Sequence, residues 1–322
     1  MNLKIIKNNY FKVLRGGSHT TFQDSGFTNN QHLGITTGGV VDYELYNLSN
    51  KILNNTLNYP VIEFCFQGPC LKLMNGKSRI VITGNVVFNI IKSKKTFNGI
   101  PNQSYLLKKG DIIDIISTIK SNYGYLSIEG GFKLKKKFGS YSTLTTAKIG
   151  SNNGEKIQDN QNLLINKEGK NTISKINLNN RELTKYIRVV SGPQMNFFFP
   201  KVLKKFFEKP FKISKDINRM GIRLEENICK SVKSHNIHSE AITKGSVQVP
   251  GDGNPIILMN DHPTIGGYPK IATVILTDLP KVAQLPIGSQ FNFKHISLRE
   301  AEILYKRNIH NLNNQLKNIK KN

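Results

Sequence analysis

The side chains best suited to chemistry are concentrated in residues 245–268, with the sequence GSVQVPGDGNPIILMNDHPTIGGY. The apolar run at 256–259 predicts a buried strand. An amide, a carboxylate and an imidazole leave its end at 260–262, and the pair Gly266-Gly267 follows. Reactive groups at a strand end beside a glycine pair predict a ligand site, with Gln248 and Tyr268 as further hydrogen-bonding groups.

Two cations accompany this stretch. Arg219 lies in the segment NRMGIRL, where its planar guanidinium could grip a carboxylate or a phosphate. The same arginine could instead pair with a structural aspartate, and the sequence leaves both alternatives open. Lys270 lies just beyond the glycine pair and supplies a second cation there.

A further polar cluster lies near the amino terminus, in TTFQDSG at residues 20–26. Gln23 carries an amide with two donors and an acceptor, and Asp24 carries a carboxylate. Asp24 is equally suited to an Asx-turn before Gly26, so a site role and a turn role both stay open. Glu63 lies inside the apolar run VIEFCF. Unpaired burial would cost on the order of several kcal/mol, so Glu63 is either paired or functional.

Two short sequences resemble binding motifs, but each lacks a residue that the corresponding binding site requires. NGKS at 75–78 lacks the first glycine of a phosphate loop, because Leu71 stands at that position. His235 and His238 have metal-ligand spacing, but no cysteine or further histidine completes the set. We therefore predict no metal site.

The hydrophobic pattern predicts a scaffold that is mainly β with a few helices. Short β-branched runs between residues 60 and 131 are too closely spaced for helical crossovers, which favours a barrel or a sandwich. One helix is predicted to begin at Asp42 and to be ended by Asn54-Asn55, and a capping box of Ser297 and Glu300 opens a C-terminal helix. The phenylalanines at 197–211 favour a buried aromatic face over stacking on nucleic-acid bases.

Length, charge and cysteine content limit the class of protein to which this chain can belong. The length of 322 residues predicts about two domains. The net charge of +25 comes from lysines that are scattered among many asparagines and isoleucines. Codon bias therefore explains it better than a nucleic-acid footprint, and we predict no nucleic-acid partner. Three cysteines without a CxxC pair indicate a reducing compartment, and no apolar run is long enough for a membrane span. We expect a soluble, cytoplasmic protein.

Four segments together resemble one family, and they cover the chain from about residue 10 to about residue 305. They are TTFQDSG with QHLGITTGG, EFCFQGP with VITG, NRMGIRLE, and SVQVPGDGNPIILMNDHPTIGGYPKIATVILTDL. The chain is similar to the C subunit of bacterial 5-oxoprolinase. This group is also described as biotin-dependent carboxyltransferase-like or allophanate-hydrolase subunit 2-like, and it is related to the regulator KipA.

The resemblance implies two cyclophilin-like β-barrel halves, at residues 1–183 and at residues 184–322 with the C-terminal helix. It also implies two partners, the KipI-like B subunit of 5-oxoprolinase and its A subunit. In the family, the B and C subunits use ATP, with Mg²⁺, to phosphorylate the lactam of 5-oxoproline, and the A subunit opens the ring to glutamate. We expect no biotin on this chain.

The same resemblance gives the candidate residues their expected roles. A five-membered lactam is a poor electrophile, so its activation needs cations and backbone N–H groups for ATP and for the substrate carboxylate. The cations are Arg219 and Lys270, and the N–H groups are those of a nest at Gly266 and Gly267. Asp261 and Asp24 are expected to supply carboxylates for a metal or a proton. Hydrogen bonds to the ring are expected from Gln23, Gln248 and Tyr268. His32 is expected to carry a proton.

The chain departs from the family pattern at a few positions. Phe27 stands where an arginine is usual, Ile217 where a serine is usual, and His262-Pro263 replace the typical residues after Asp261. Two other functions stay open. One is carboxyl transfer as in urea-amidolyase-type proteins, which would need a biotin carrier on another chain because no Met-Lys-Met sequence is present. The other is a non-enzymatic regulator that binds a KipI-like kinase inhibitor.

Overall fold

The computed structural model describes residues 9–166, 174–175, 185–226, 233–317 and 320–321. The predicted domain boundary at 183/184 lies outside these residues, as does Cys229.

The chain divides into two compact units, each built from segments that are not continuous in sequence. Unit 1 consists of Met1–Gly26, Tyr43–Asn180 and Asn314–Asn322, and unit 2 consists of Phe27–Asp42 and Arg181–Asn313.

The elements follow one another along the chain in this order: β1 (Tyr10–Arg15), β2 (His19–Gln23), α1 (Tyr43–Ile52), β3 (Val61–Cys65), β4 (Cys70–Leu73), β5 (Lys77–Thr83), β6 (Val86–Lys92), β7 (Lys95–Asn98), β8 (Ser104–Lys108), β9 (Ile112–Thr118), β10 (Tyr123–Ile128), β11 (Thr143–Leu144), β12 (Ile149–Gly150), β13 (Asn162–Leu164), β14 (Ser174–Lys175), β15 (Tyr186–Ser191), α2 (Pro200–Glu208), β16 (Phe211–Ile217), β17 (Gly221–Leu224), β18 (Glu240–Ala241), β19 (Ser246–Gln248), β20 (Ile256–Leu258), β21 (Ile265–Gly266), β22 (Lys270–Val274), α3 (Leu279–Gln284), β23 (Gln290–His295), α4 (Leu298–Lys317) and β24 (Lys320–Lys321). The fold is mainly β, as the sequence predicted.

Unit 1 contains two larger sheets that share one apolar core. The first has the strand order β13-β1-β4-β9-β6-β7 and the second the order β2-β3-β10-β5-β8. Alternate residues of the first sheet point into the core, as Phe11 and Val13 do on β1 and Leu71 and Leu73 do on β4. This period of two is typical of a strand with one buried face.

Two inner strands of the second sheet, β3 and β10, are buried along their whole length. Helix α1 packs against β10 and β5. Glu63 lies on β3, and its carboxylate accepts a hydrogen bond from the Tyr125 hydroxyl at 2.8 Å. Of the two alternatives that the sequence left for Glu63, the structure therefore shows pairing.

Unit 2 contains a closed barrel with the strand order β15-β22-β19-β20-β17-β16-β23. The barrel closes through a parallel pair, β15 with β23, while the neighbouring strands along the order β15 to β23 pair antiparallel. A closed barrel leaves no open edge in the sheet, so the backbone groups of its strands are paired within the unit.

Buried phenylalanines fill one side of the barrel. Phe206 on α2 stacks on Phe293 of β23 with ring centroids 4.6 Å apart, and Phe211 and Phe291 pack around them. All four rings are 2 % exposed or less. Of the phenylalanines at 197–211, Phe198, Phe206 and Phe211 are buried, as the sequence favoured, whereas Phe199 is 48 % exposed.

The C-terminal helix α4 begins at the predicted capping box. The backbone N–H of Ser297 donates to the Glu300 carboxylate at 2.8 Å, and the N–H of Glu300 donates to the Ser297 hydroxyl at 3.2 Å. The bonds that the Ser297 N–H and hydroxyl donate to the Glu300 carboxylate lower the pKa of Glu300 below its ordinary value. Among the described residues, none of the helices combines the length and the apolar character that a membrane crossing requires.

Candidate functional site

Strand pairing in the barrel brings Arg219 and Asp261 together. Strands β17 and β20 pair antiparallel with Gly221 opposite Leu258, so the residues just before β17 lie beside those just after β20. The Asp261 N–H donates to the Arg219 carbonyl at 2.7 Å. Two segments that are about forty residues apart therefore present their side chains at the same end of the barrel.

Arg219 and Asp261 form a bidentate ion pair. The guanidinium donates from Nε to Oδ2 at 2.9 Å and from Nη2 to Oδ1 at 2.8 Å. The Asp261 side chain is only 2 % exposed, and that of Arg219 is 14 % exposed. Both predicted site residues are thus brought together, and the guanidinium holds the carboxylate in one orientation. Whether either acts on a substrate stays a prediction.

Arg219 and Asn260 also donate hydrogen bonds to the turn at Gly38-Gly39. Arg219 Nη2 donates to the Gly39 carbonyl at 2.7 Å, and Asn260 Nδ2 donates to the carbonyls of Gly38 at 2.9 Å and Val40 at 2.9 Å. Gly38 has a φ of +55°, and a Cβ there would lie 3.1 Å from the ring of Phe27. Glycine is required at this position, because a side chain would be strained and crowded. We call Arg219, Asn260, Asp261 and this turn the strand-end cluster.

Two ionisable groups with lowered pKa values lie within electrostatic reach of the strand-end cluster. Burial lowers the pKa of His262, whose Nδ1 is 2.7 Å from the Pro263 carbonyl. Burial also lowers the pKa of Lys244, and the neighbouring charge of Arg219 lowers it further. Desolvation therefore disfavours the charged form of each group.

A second cluster in unit 2 is built around Lys270. Lys270 opens β22 opposite Gln248 of β19, and both side chains are buried, at 3 % and 5 % exposure. The Lys270 ammonium lies 2.5 Å from Oε1 of Glu240, whose side chain is 42 % exposed. We call Gln194, Glu240, Gln248 and Lys270 the lysine cluster.

Gln194 connects the members of the lysine cluster. Its Nε2 donates to Glu240 Oε1 at 2.7 Å, its Oε1 accepts from the Lys270 N–H at 3.1 Å, and its own N–H donates to the Lys270 carbonyl at 3.2 Å. The close contact of the Lys270 ammonium and then the hydrogen bond from Gln194 lower the pKa of Glu240. The carboxylate is therefore ionised at neutral pH.

The glycine pair does not form the predicted nest. Gly266 belongs to β21, and neither it nor Gly267 has a positive φ, so the backbone lacks the alternating conformation of a nest. A Cβ on Gly266 would lie 2.8 Å from Gln248 Nε2, so the glycine makes room for that amide. Tyr268 follows with 42 % of its surface exposed. Ligand binding by these residues stays a prediction.

Asp24 lies in unit 1, in a third cluster. Its carboxylate accepts bonds from the hydroxyls of Ser140 at 2.5 Å and Ser142 at 2.7 Å, and from the N–H groups of Tyr141 at 2.8 Å and Gly26 at 2.9 Å. The bond to Gly26 is the Asx-turn that the sequence left open. The others fix the segment at 140–142, so the contacts favour a positioning role over proton transfer.

The remaining predicted site residues have simpler surroundings. Gln23 is fully buried and donates from Nε2 to the Thr143 carbonyl at 2.9 Å and to the Thr21 hydroxyl at 3.0 Å. His32 lies exposed in a 3-10 turn at Gln31–Leu33. It belongs to none of the three clusters, and its role as a proton carrier stays a prediction.

Sequence reasoning missed Gln194 and Glu240. Each had a signal, because Gln194 ends the segment RVVSGPQ and Glu240 lies just before the stretch at 245–268. Nothing in the local sequence indicated that a hydrogen bond joins these two residues, which are 46 positions apart.

The chain is similar to known proteins over most of its length. Residues 33–295 match the model of the carboxyltransferase domain, subdomain A and B. The C subunit of 5-oxoprolinase from Escherichia coli is 30% identical over 90% of this chain and 92% of its own length. Its counterpart from Haemophilus influenzae is 32% identical over 92% of this chain and 94% of its own. The chain belongs to the family of 5-oxoprolinase C subunits.

A solved structure shows the same fold in a larger protein. The Kluyveromyces lactis urea carboxylase superposes with a TM-score of 0.85 and 25% identity over 96% of this chain. The present chain spans 29% of that protein, so the fold of this family is found there as one part of a longer polypeptide.

Proposed function

We propose that this chain is the C subunit of an ATP-dependent 5-oxoprolinase. With the KipI-like B subunit it would activate the lactam of 5-oxoproline by phosphorylation, and the A subunit would then open the ring to give glutamate. The observation that carries the proposal is the match to two proteins of that name over nine-tenths of both chains. The name itself describes one component of an assembly.

The residues of the lysine cluster fit the binding of a small amide substrate. Two donors, the Lys270 ammonium and the Gln248 amide, are buried on neighbouring strands, where hydrogen bonds to a bound oxygen would be shielded from water. This arrangement supports substrate positioning as the contribution of this chain.

The same residues fit a triphosphate poorly. Arg219 is engaged by Asp261 and Lys270 by Glu240, and the backbone at Gly266 and Gly267 is not a nest. Phosphate sites usually combine free cations with convergent N–H groups. We therefore assign no step of the reaction to ATP or Mg²⁺ on these residues, and we propose that the assembled complex supplies that site.

The experiment is ATP hydrolysis by this chain co-expressed with its KipI-like partner. We expect ADP release to depend on 5-oxoproline, and we expect Lys270→Met to abolish that dependence. Lys201→Met is the matched control, because Lys201 is exposed on α2. Equal 5-oxoproline-dependent rates in the two variants would remove Lys270 from the site.

The second candidate is carboxyl transfer, which the superposition on urea carboxylase favours. Activity that needs a biotinylated partner, and that avidin inhibits, would support it. Tight binding of the KipI-like protein without any turnover would instead indicate a regulator.

A further inference from the structure

The lysine cluster is neutral in net charge. Lys270 and Glu240 form its ion pair, with 2.5 Å between the ammonium and Oε1. The lowered pKa of Glu240 keeps that carboxylate ionised, so it balances the lysine charge. Because the lysine is only 3 % exposed, the pair rather than water compensates its charge.

The cluster also contains donors that lack well-formed acceptors among the described residues. Gln248 Nε2 is buried there without a hydrogen-bond partner. Lys270 Nζ lies at ion-pair distance from Glu240. Among the described residues it makes no hydrogen bond of good geometry. Leaving a buried donor unpaired is unfavourable, because the group has lost its bonds to water without replacing them. A ligand oxygen that accepts from both groups would remove this penalty.

We propose that the lysine cluster binds the carbonyl oxygen of a neutral amide, and that Gln248 and Lys270 are its donors. A carbonyl oxygen accepts both hydrogen bonds without adding charge. A carboxylate would leave one uncompensated negative charge beside Glu240, in a site where burial makes such a charge costly. The inference rests on the proposed function only for the choice of a lactam as the first probe.

Gln194 and Glu240 are the positioning residues of this site. Gln194 binds the backbone of Lys270 on both sides and the carboxylate of Glu240, so it fixes the lysine relative to its counter-ion. Gly266 leaves space for the Gln248 amide, and any larger residue would meet Nε2 at 2.8 Å. The amide is therefore held in place by packing as well as by its strand.

Ligand binding measured by calorimetry on the full chain, co-purified with its partner, tests the inference. The probes are 2-pyrrolidinone, which has the lactam without a carboxylate, and L-proline, which has the carboxylate without the lactam oxygen. We expect 2-pyrrolidinone to bind and L-proline to bind at least about tenfold more weakly. Binding of L-proline alone would overturn the inference.

Two variants sharpen the test. Gln248→Glu replaces the donor by an acceptor of the same size and should weaken 2-pyrrolidinone binding at least about tenfold. The control is Gln290→Glu at an exposed position of β23. Glu240→Gln removes the counter-charge from a half-exposed position, so the preference should shift from 2-pyrrolidinone toward L-proline. A purely structural role of Glu240 would leave the preference unchanged, and that result would contradict the inference.

Urea distinguishes this inference from the proposed function. If urea competes with 2-pyrrolidinone while 5-oxoproline does not bind, the carbonyl site stands and the 5-oxoprolinase assignment falls. If 5-oxoproline supports ATP hydrolysis while Gln248→Glu and Gln290→Glu bind 2-pyrrolidinone equally, the assignment stands and the carbonyl site falls.

Discussion

At the scale of single residues, the carboxylates of this chain differ in what surrounds them. Asp261 is held by a guanidinium, Glu240 by an ammonium and an amide, and Asp24 by hydroxyl and backbone N–H groups. The first two pair with cations on the barrel of unit 2, whereas Asp24 fixes a neighbouring segment of unit 1. Residue type alone did not separate these roles, because the partners are distant in sequence.

Replacing Asp24 by Asn tests its positioning role. The Asn side chain would place an amide NH₂ against hydroxyl and N–H donors that now meet a carboxylate oxygen. We expect the free energy of unfolding to fall by about 3 kcal/mol. Urea denaturation of the full chain measures this. Asp216→Asn is the matched control, because Asp216 is exposed on β16. Equal losses in the two variants would contradict the role.

His262 should make stability depend on pH. Its folded pKa lies below the ordinary value of 6.5, chiefly because the ring is buried. As the pH falls through about 6.5, the unfolded chain takes up a proton that the folded chain excludes, so the free energy of unfolding falls toward acid pH. Above that pH the contribution is constant.

Urea midpoints between about pH 5 and pH 7.5 measure this dependence. We expect His262→Gln to show a shallower fall toward acid pH than the unmodified chain. His32→Gln, at an exposed position, serves as the control. A slope unchanged in His262→Gln would show that other groups cause the acid sensitivity.

At the scale of elements, strands and caps were predictable where local pattern decides them. The strand predicted at 256–259 is β20, the predicted helix after Asp42 is α1, and the capping box opens α4. Each depends on residues within a few positions of one another. A continuous apolar run, apolar residues at helical spacing, and the capping preferences of Ser and Glu therefore sufficed.

Pairing across long separations was not predictable in the same way. Arg219 was left with two alternatives because its partner is 42 residues away, and the antiparallel register of β17 and β20 decides it. Gln194 was missed because its contacts with Lys270 continue the pairing of β15 with β22, and its other partner, Glu240, is 46 residues away. Sheet register follows from the whole set of strands, so a local pattern carries too little information.

The capping box gives a prediction at this scale. Ser297→Ala removes the hydroxyl that accepts the Glu300 N–H and should destabilise the first turn of α4 by about 1 kcal/mol. Hydrogen exchange at the first-turn amides measures the loss. Ser297→Thr keeps the hydroxyl and should restore protection. Unchanged exchange in Ser297→Ala would show that packing alone holds the helix start.

At the scale of the whole molecule, the fold is shared by proteins with different names. Two relatives are called C subunits of 5-oxoprolinase, and the superposed structure is a urea carboxylase. 5-Oxoproline is a lactam and urea is a diamide, so both carry a neutral amide carbonyl. A charge-balanced lysine beside a buried glutamine suits that shared group, which is why we place substrate recognition in the lysine cluster.

The central claim is that this chain is an essential component of a 5-oxoprolinase. The most direct measurement is glutamate formation from 5-oxoproline and ATP by the three purified proteins, with each one omitted in turn. We predict glutamate only when this chain is present, and loss of its formation when Lys270→Met replaces the unmodified chain. Equal glutamate formation with and without this chain would contradict the account.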